Sequence, residues 1–179
     1  NLQLTHISDE ERPQAQWRLE DLGLAWRLAP DGQAAHTLSC GALPTCGLAM
    51  AEAERYTPRL LVLLNDLKRR HGIDDPITLR ITGCPNGCAR PYLGEIALTG
   101  RAPGLYNLYL GGSFHGDRLA QLYAVNVDEV RFLDLLDPLL ARFASQRRPG
   151  EHFGDFLVRK RLLDDRPLDV QPTPGEKHV

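Results

Sequence analysis

The chain has 179 residues, with 42% hydrophobic and 25% charged side chains and a formal charge of -2. This is the profile of a globular domain with enough apolar material for a core, and it offers no basic excess for nucleic acid or an anionic membrane. No apolar run reaches the length of a membrane-spanning helix, and no charged-then-apolar leader opens the sequence.

The chain opens Asn1-Leu2-Gln3-Leu4-Thr5 without an initiator methionine, so it reads as a piece of a longer protein. Leu2, Leu4 and Ile7 alternate as in a strand already under way. Ser8-Asp9-Glu10-Glu11 is an acidic helix start, and Trp17, Leu19, Leu22 and Leu24 continue an apolar face. A second strand is predicted around Trp26 to Leu28, followed by an Asp31-Gly32 turn. Residues 1–38 then form part of a small α+β unit whose sheet other segments must complete.

Leu48 to Arg55 has a helical pattern. Thr57-Pro58 restarts a helix, with Thr57 as N-cap, Pro58 at the first helical position and Gly72 as the stop. Leu60, Leu61, Leu64 and Leu67 give it a buried stripe. Ile77, Leu79 and Ile81 alternate with Thr78, Arg80 and Thr82 in a strand, which places Arg80 on its exposed face. Glu95 to Leu98 and Tyr106 to Leu110 read as two further strands, joined by a turn over Gly100 to Gly104. Asp128 caps a last helix carrying Leu133, Leu136, Leu140 and Phe143, with Pro138 kinking or splitting it. Residues 164–179 are polar and proline-rich, and disorder is expected there.

The four cysteines form two groups, Cys40-x5-Cys46 and Cys84-x3-Cys88. They are too few for a disulfide scaffold, and reduced thiols in the cytoplasm fit better than secretion. Two pairs on two loops supply the four soft ligands of a [4Fe–4S] cluster. Pro44 and Pro85 stiffen those loops, while Gly41, Gly47, Gly83 and Gly87 let backbone amides come close. Structural zinc, two disulfides and four free buried cysteines remain as alternatives at this point. Zinc knuckles favour a spacing narrower than that of the first pair.

Thr82-Gly83-Cys84-Pro85-Asn86-Gly87-Cys88-Ala89-Arg90-Pro91, with Cys40-x5-Cys46 upstream, resembles the siroheme-dependent sulfite and nitrite reductase family. So do Leu48 to Arg55, Ala102 to Gly112 and Phe153-Gly154-Asp155-Phe156, so that the resemblance covers about residues 35 to 163. The Asn-Gly-Cys-Ala-Arg-Pro loop and the Tyr-Asn-Leu-Tyr-Leu-Gly-Gly strand favour the sulfite over the nitrite reductases. Gly116-Asp117-Arg118 and the C-terminal region lean toward the NADPH-dependent rather than the ferredoxin-dependent kind.

The resemblance implies an α+β fold, in which a mixed sheet with flanking helices (residues 39–163) follows part of a ferredoxin-like domain (1–38). It implies that Cys40, Cys46, Cys84 and Cys88 ligate the [4Fe–4S] cluster and that Cys88 is also the axial ligand of the siroheme iron. Asn86, Gly87 and Arg90 would lie against the siroheme. Family members reduce sulfite to sulfide by six electrons in sulfur assimilation and cysteine biosynthesis, and the NADPH type takes its electrons from a flavoprotein. They are several times longer than this chain, and their cationic substrate-holding residues lie mostly upstream of the cluster region. The segment alone is therefore expected not to reduce sulfite and to hold its cofactors weakly. A nitrite reductase segment, a stand-alone iron–sulfur carrier and a zinc-binding module are the other readings.

Overall fold

The computed structural model describes residues 6–23 and 32–163, together with the backbone of 169–170. Its elements in chain order are α1 (Arg12–Asp21), α2 (Gly32–Ala35), β1 (Thr37–Ser39), α3 (Thr57–Arg70), β2 (Leu79–Thr82), a 3-10 turn (Pro91–Leu93), β3 (Ile96–Ala102), β4 (Leu105–Leu110), β5 (Gln121–Val127), α4 (Glu129–Gln146), α5 (Phe153–Arg159) and β6 (Asp169–Val170). The strands form one mixed sheet in sequence order. β1, β2 and β3 run parallel, β3, β4 and β5 are antiparallel neighbours, and β6 pairs parallel with β5.

One face of the sheet carries Leu79, Ile81, Ile96, Leu98, Leu108 and Leu110, all buried in the core with Leu60, Leu64 and Leu67 of α3 and Phe132, Leu136, Leu140 and Phe143 of α4. Each large apolar side chain so buried contributes about 1.5–3 kcal/mol. α3 closes as the glycine signal predicts, with Gly72 at φ 65°. The Asp128 side chain caps α4 by accepting from the Arg131 N–H at 2.8 Å. Pro138 lies inside α4, which is one continuous helix of 18 residues.

The opposite face is covered as well. The segment between β2 and β3 folds back across it, placing Tyr92 edge-on to Tyr109 at 5.1 Å and Gly94 against the stem of Arg80. Ala97 and Thr99 are consequently buried. Arg80 is half-buried rather than exposed, and its guanidinium donates to the His36 carbonyl at 3.0 Å. Burial, and then the charge of Arg90, lower its pKa.

Several elements differ from expectation. Residues 48–55 form turns rather than a helix, because the N–H groups of Met50 and Ala51 bond to Gly83 and that of Glu54 to Cys40. Thr57 is the first residue of α3 rather than its cap, its hydroxyl donating back to the Ala53 carbonyl at 2.8 Å. Leu61 is only half-buried, whereas Lys68 is buried and donates to Gln33 Oε1 at 3.1 Å. β3 continues through Gly100 to Ala102, which confines the turn to Pro103-Gly104. α1 forms, yet Trp17 is 63% exposed and no residue of α1 is buried. The strands expected at Leu2–Leu4 and Trp26–Leu28 lie outside the described residues. Within 164–179, residues 169–170 form β6, and the rest lies outside the described residues.

Glu95 holds α5 to the sheet. It is fully buried and accepts the Gly154 N–H at 2.8 Å and the Thr78 N–H at 2.8 Å. Burial raises its pKa despite these donors. A raised carboxyl pKa gives stability that is full below the ordinary carboxylate value of about 4.3 and is lost as pH rises through the folded-state value. Glu95→Gln turns an amide donor toward these N–H groups and is expected to cost about 1–3 kcal/mol. Denaturant titrations across pH should show the wild-type advantage largest at low pH and shrinking as pH rises through that window.

Candidate metal centre

The two parallel strands β1 and β2 deliver both cysteine groups to one end of the sheet. β1 ends at Ser39, and the Cys40 N–H donates to the Ile81 carbonyl at 3.2 Å, which continues the β1–β2 pairing by one residue. The chain then turns through Ala42, buried at φ 50°, and the Cys46 N–H closes the turn onto the Ala42 carbonyl at 2.7 Å. β2 ends at Thr82, whose buried hydroxyl donates to the Cys84 carbonyl at 2.9 Å. The second loop continues through Gly87 at φ 69° and Arg90 at φ 52°, with the Arg90 N–H donating to the Gly87 carbonyl at 2.7 Å.

Gly83 joins the two loops. Its N–H donates to Cys40 Sγ at 3.3 Å, and its carbonyl accepts from Met50 N–H at 2.7 Å and Ala51 N–H at 3.0 Å. A side chain at Gly83 would meet Ala42 Cβ at 2.6 Å and the Ala51 carbonyl oxygen at 2.7 Å. Only glycine fits there.

All four cysteines are free thiols, at graded depth. Cys84 is buried, Cys40 and Cys46 are half-buried, and Cys88 is exposed. Asn86 and Arg90 are exposed and Gly87 half-buried beside Cys88. Among the described residues no three His, Cys, Asp or Glu side chains are grouped as around a single metal ion. A single ion draws its ligand sulfurs to about 2.3 Å from one point. A four-iron cluster instead takes one thiolate at each iron, spread around a body several ångströms across. Two loops carrying soft ligands, with an amide already aimed at one sulfur, suit such a body in donor chemistry.

Sequence reasoning did not place Gly100 in this assembly. The signal at Gly100 was present, since glycine within a strand marks the close approach of another backbone. Among the described residues, Thr99 Oγ1 and Asn107 Oδ1 are buried without a protein partner, at opposed positions on β3 and β4.

The fold is that of the NirA protein of Mycobacterium tuberculosis, which superposes with a TM-score of 0.62 at 24% identity over 84% of this chain and 30% of that one. In sequence, the chain is 54% identical over 160 residues to the sulfite reductase [NADPH] hemoprotein beta-component of Afipia carboxidovorans, covering 89% of this chain and 28% of the relative. The corresponding protein of Bordetella petrii is 51% identical over 180 residues, covering 98% and 31%. That of Staphylococcus carnosus is 47% identical over 165 residues, covering 92% and 29%. No family model matches the chain. The chain is thus a homologue of one segment of the sulfite reductase hemoprotein beta-component and spans about three-tenths of the length of these relatives.

The Thr82 hydroxyl ties the backbone of the second loop at Cys84 to the end of β2. Thr82→Val is expected to cost about 1 kcal/mol in thermal or denaturant unfolding, while Thr82→Ser, which keeps the hydroxyl, retains most of that stability.

Proposed function

We propose that this chain is the cofactor-ligating segment of an NADPH-type sulfite reductase. Cys40, Cys46, Cys84 and Cys88 hold a [4Fe–4S] cluster, and Cys88 also serves siroheme as its axial ligand. The observation that carries this reading is the Gly83 junction, which ties both cysteine loops together and points an N–H at Cys40 Sγ. When bound, the two groups supply the electron transfer and the substrate site for the six-electron reduction of sulfite to sulfide.

The chain's own residues divide the remaining work. Cys84 is buried and Cys40 and Cys46 are half-buried, which limits the access of oxidants to their thiolates. Cys88 is exposed and therefore open to a second group lying outside the cluster. Arg90 sets its charge two residues beyond, at a left-handed backbone position, where a guanidinium can pair with a carboxylate of the siroheme. Gly87 and Asn86 leave room for a flat ring beside Cys88.

On this reading the substrate-binding cations come from other segments of the longer protein. The activity needs them together with the cofactors held here, so the segment alone does not reduce sulfite. A flavoprotein passing on NADPH electrons is the proposed partner, supported by the NADPH in the relatives' names. No helix among the described residues is long and apolar enough to cross a membrane, and a cytoplasmic setting would keep the thiols reduced.

The test uses the full-length protein prepared without oxygen. Iron, acid-labile sulfide and siroheme are expected together, sulfide should form from sulfite, and sulfite should be preferred to nitrite in steady-state rates. Cys84→Ser is expected to lose most of the iron and sulfide. A protein containing zinc alone would contradict the reading, and a clear preference for nitrite would reassign the substrate.

A further inference from the structure

We infer that Gly100, a residue of β3 outside both cysteine loops, is a positioning residue that sets the hydrogen bond to Cys40 and with it the reduction potential of the proposed cluster. The inference rests on the cluster reading above and adds a residue that neither the motifs nor the spacing assign.

The geometry runs through three layers of backbone. Gly100 sits opposite Tyr106 on β4, next to an irregularity in the β3–β4 pairing. A Cβ at this position would lie 2.7 Å from the Gly83 carbonyl carbon, closer still to the Gly83 carbonyl oxygen, and 2.8 Å from Ala51 Cβ. Two of these three atoms belong to backbone, so no side-chain rotation relieves the contact. The bare Cα of Gly100 is what allows the Gly83 carbonyl to lie against β3.

That carbonyl receives the Met50 and Ala51 N–H groups, and the amide of the same residue donates to Cys40 Sγ at 3.3 Å. Ala42, Ala49 and the Ala51 carbonyl also crowd Gly83, which leaves it little room to move without altering the amide-to-sulfur distance. Hydrogen bonds to cluster sulfur favour the more negative, reduced state and raise the potential. Displacing Gly83 away from β3 should lengthen that bond and lower the potential.

The experiment compares Gly100→Ala with Gly104→Ala in the full-length holoprotein. Gly104 lies in the turn that ends β3, at φ 73° with nothing within 4 Å of an added Cβ. An alanine there strains the backbone and lowers stability without reaching the cysteine loops. Both variants are expected to lower Tm. Only Gly100→Ala is expected to shift the cluster potential to a more negative value in a redox titration and to alter its electron paramagnetic resonance signal.

If Gly100→Ala does not accumulate as folded protein, Ala42→Gly gives the second reading. It suits the φ of 50° and removes a methyl that crowds Gly83. A smaller shift to negative potential is expected from it. A potential and signal equal to wild type in Gly100→Ala, or in Ala42→Gly where only that variant folds, overturns the inference and leaves the cluster reading intact. Full-length wild-type protein prepared without oxygen that contains no iron and no acid-labile sulfide overturns both.

Discussion

The close approach of Gly83 to Gly100 is the constraint on which the site depends. Two backbones meet where neither residue carries a side chain, and a Cβ on either would collide with main-chain atoms. This contact lets one residue accept two N–H groups from the first cysteine loop while donating to the sulfur that begins it. Amides 50 and 51 would otherwise favour a helical turn in an alanine-rich stretch. Bonded to Gly83, they hold the loop open across the end of the sheet.

The rest of the fold makes that junction rigid. α3 and α4 fill one face of the sheet, so β2, β3 and β4 are anchored by the apolar core. The other face is covered by the segment that carries Cys84 and Cys88, through Tyr92, Pro91 and Gly94. The second cysteine loop is therefore part of the sheet's covering and not an appendage. On the far side, Glu95 draws Gly154 of α5 against the start of β3. The bare Cα of Gly154 lies against the Gly112 carbonyl and that of Gly112 against the Gly94 carbonyl, which gives a physical reason for both glycines.

Local signals in the sequence were read well. Alternation at Leu79 and Ile81, the Thr57-Pro58 start of α3, its stop at Gly72 and the Asp128 cap all depend on residues within one turn or one strand. Most of what failed depended on distant partners, although the Thr57 cap failed locally, its hydroxyl turned back to the Ala53 carbonyl. Residues 48–55 have helical composition, but their amides bond to β2 and to Cys40. Gly100 looks like a turn residue until Gly83 is seen against it. Arg80 alternates like an exposed residue, yet the loop following β2 covers it. β5 escaped notice because its burial does not alternate and its pairing with β4 slips twice, and the seven-residue α5 is too short to show a period. Of the candidate site, the four cysteines and their division between two loops were legible from spacing. Their graded depth and the Gly83 junction were not, because both arise from strand pairing.

The most direct measurement is a crystal structure of the full-length holoprotein, with anomalous scattering recorded at the iron edge. The account predicts four irons, one bound to each of Cys40, Cys46, Cys84 and Cys88, with the Gly83 N–H still directed at Cys40 Sγ. A single zinc ion, disulfides between these cysteines, or Cys40 turned away from Gly83 would contradict it.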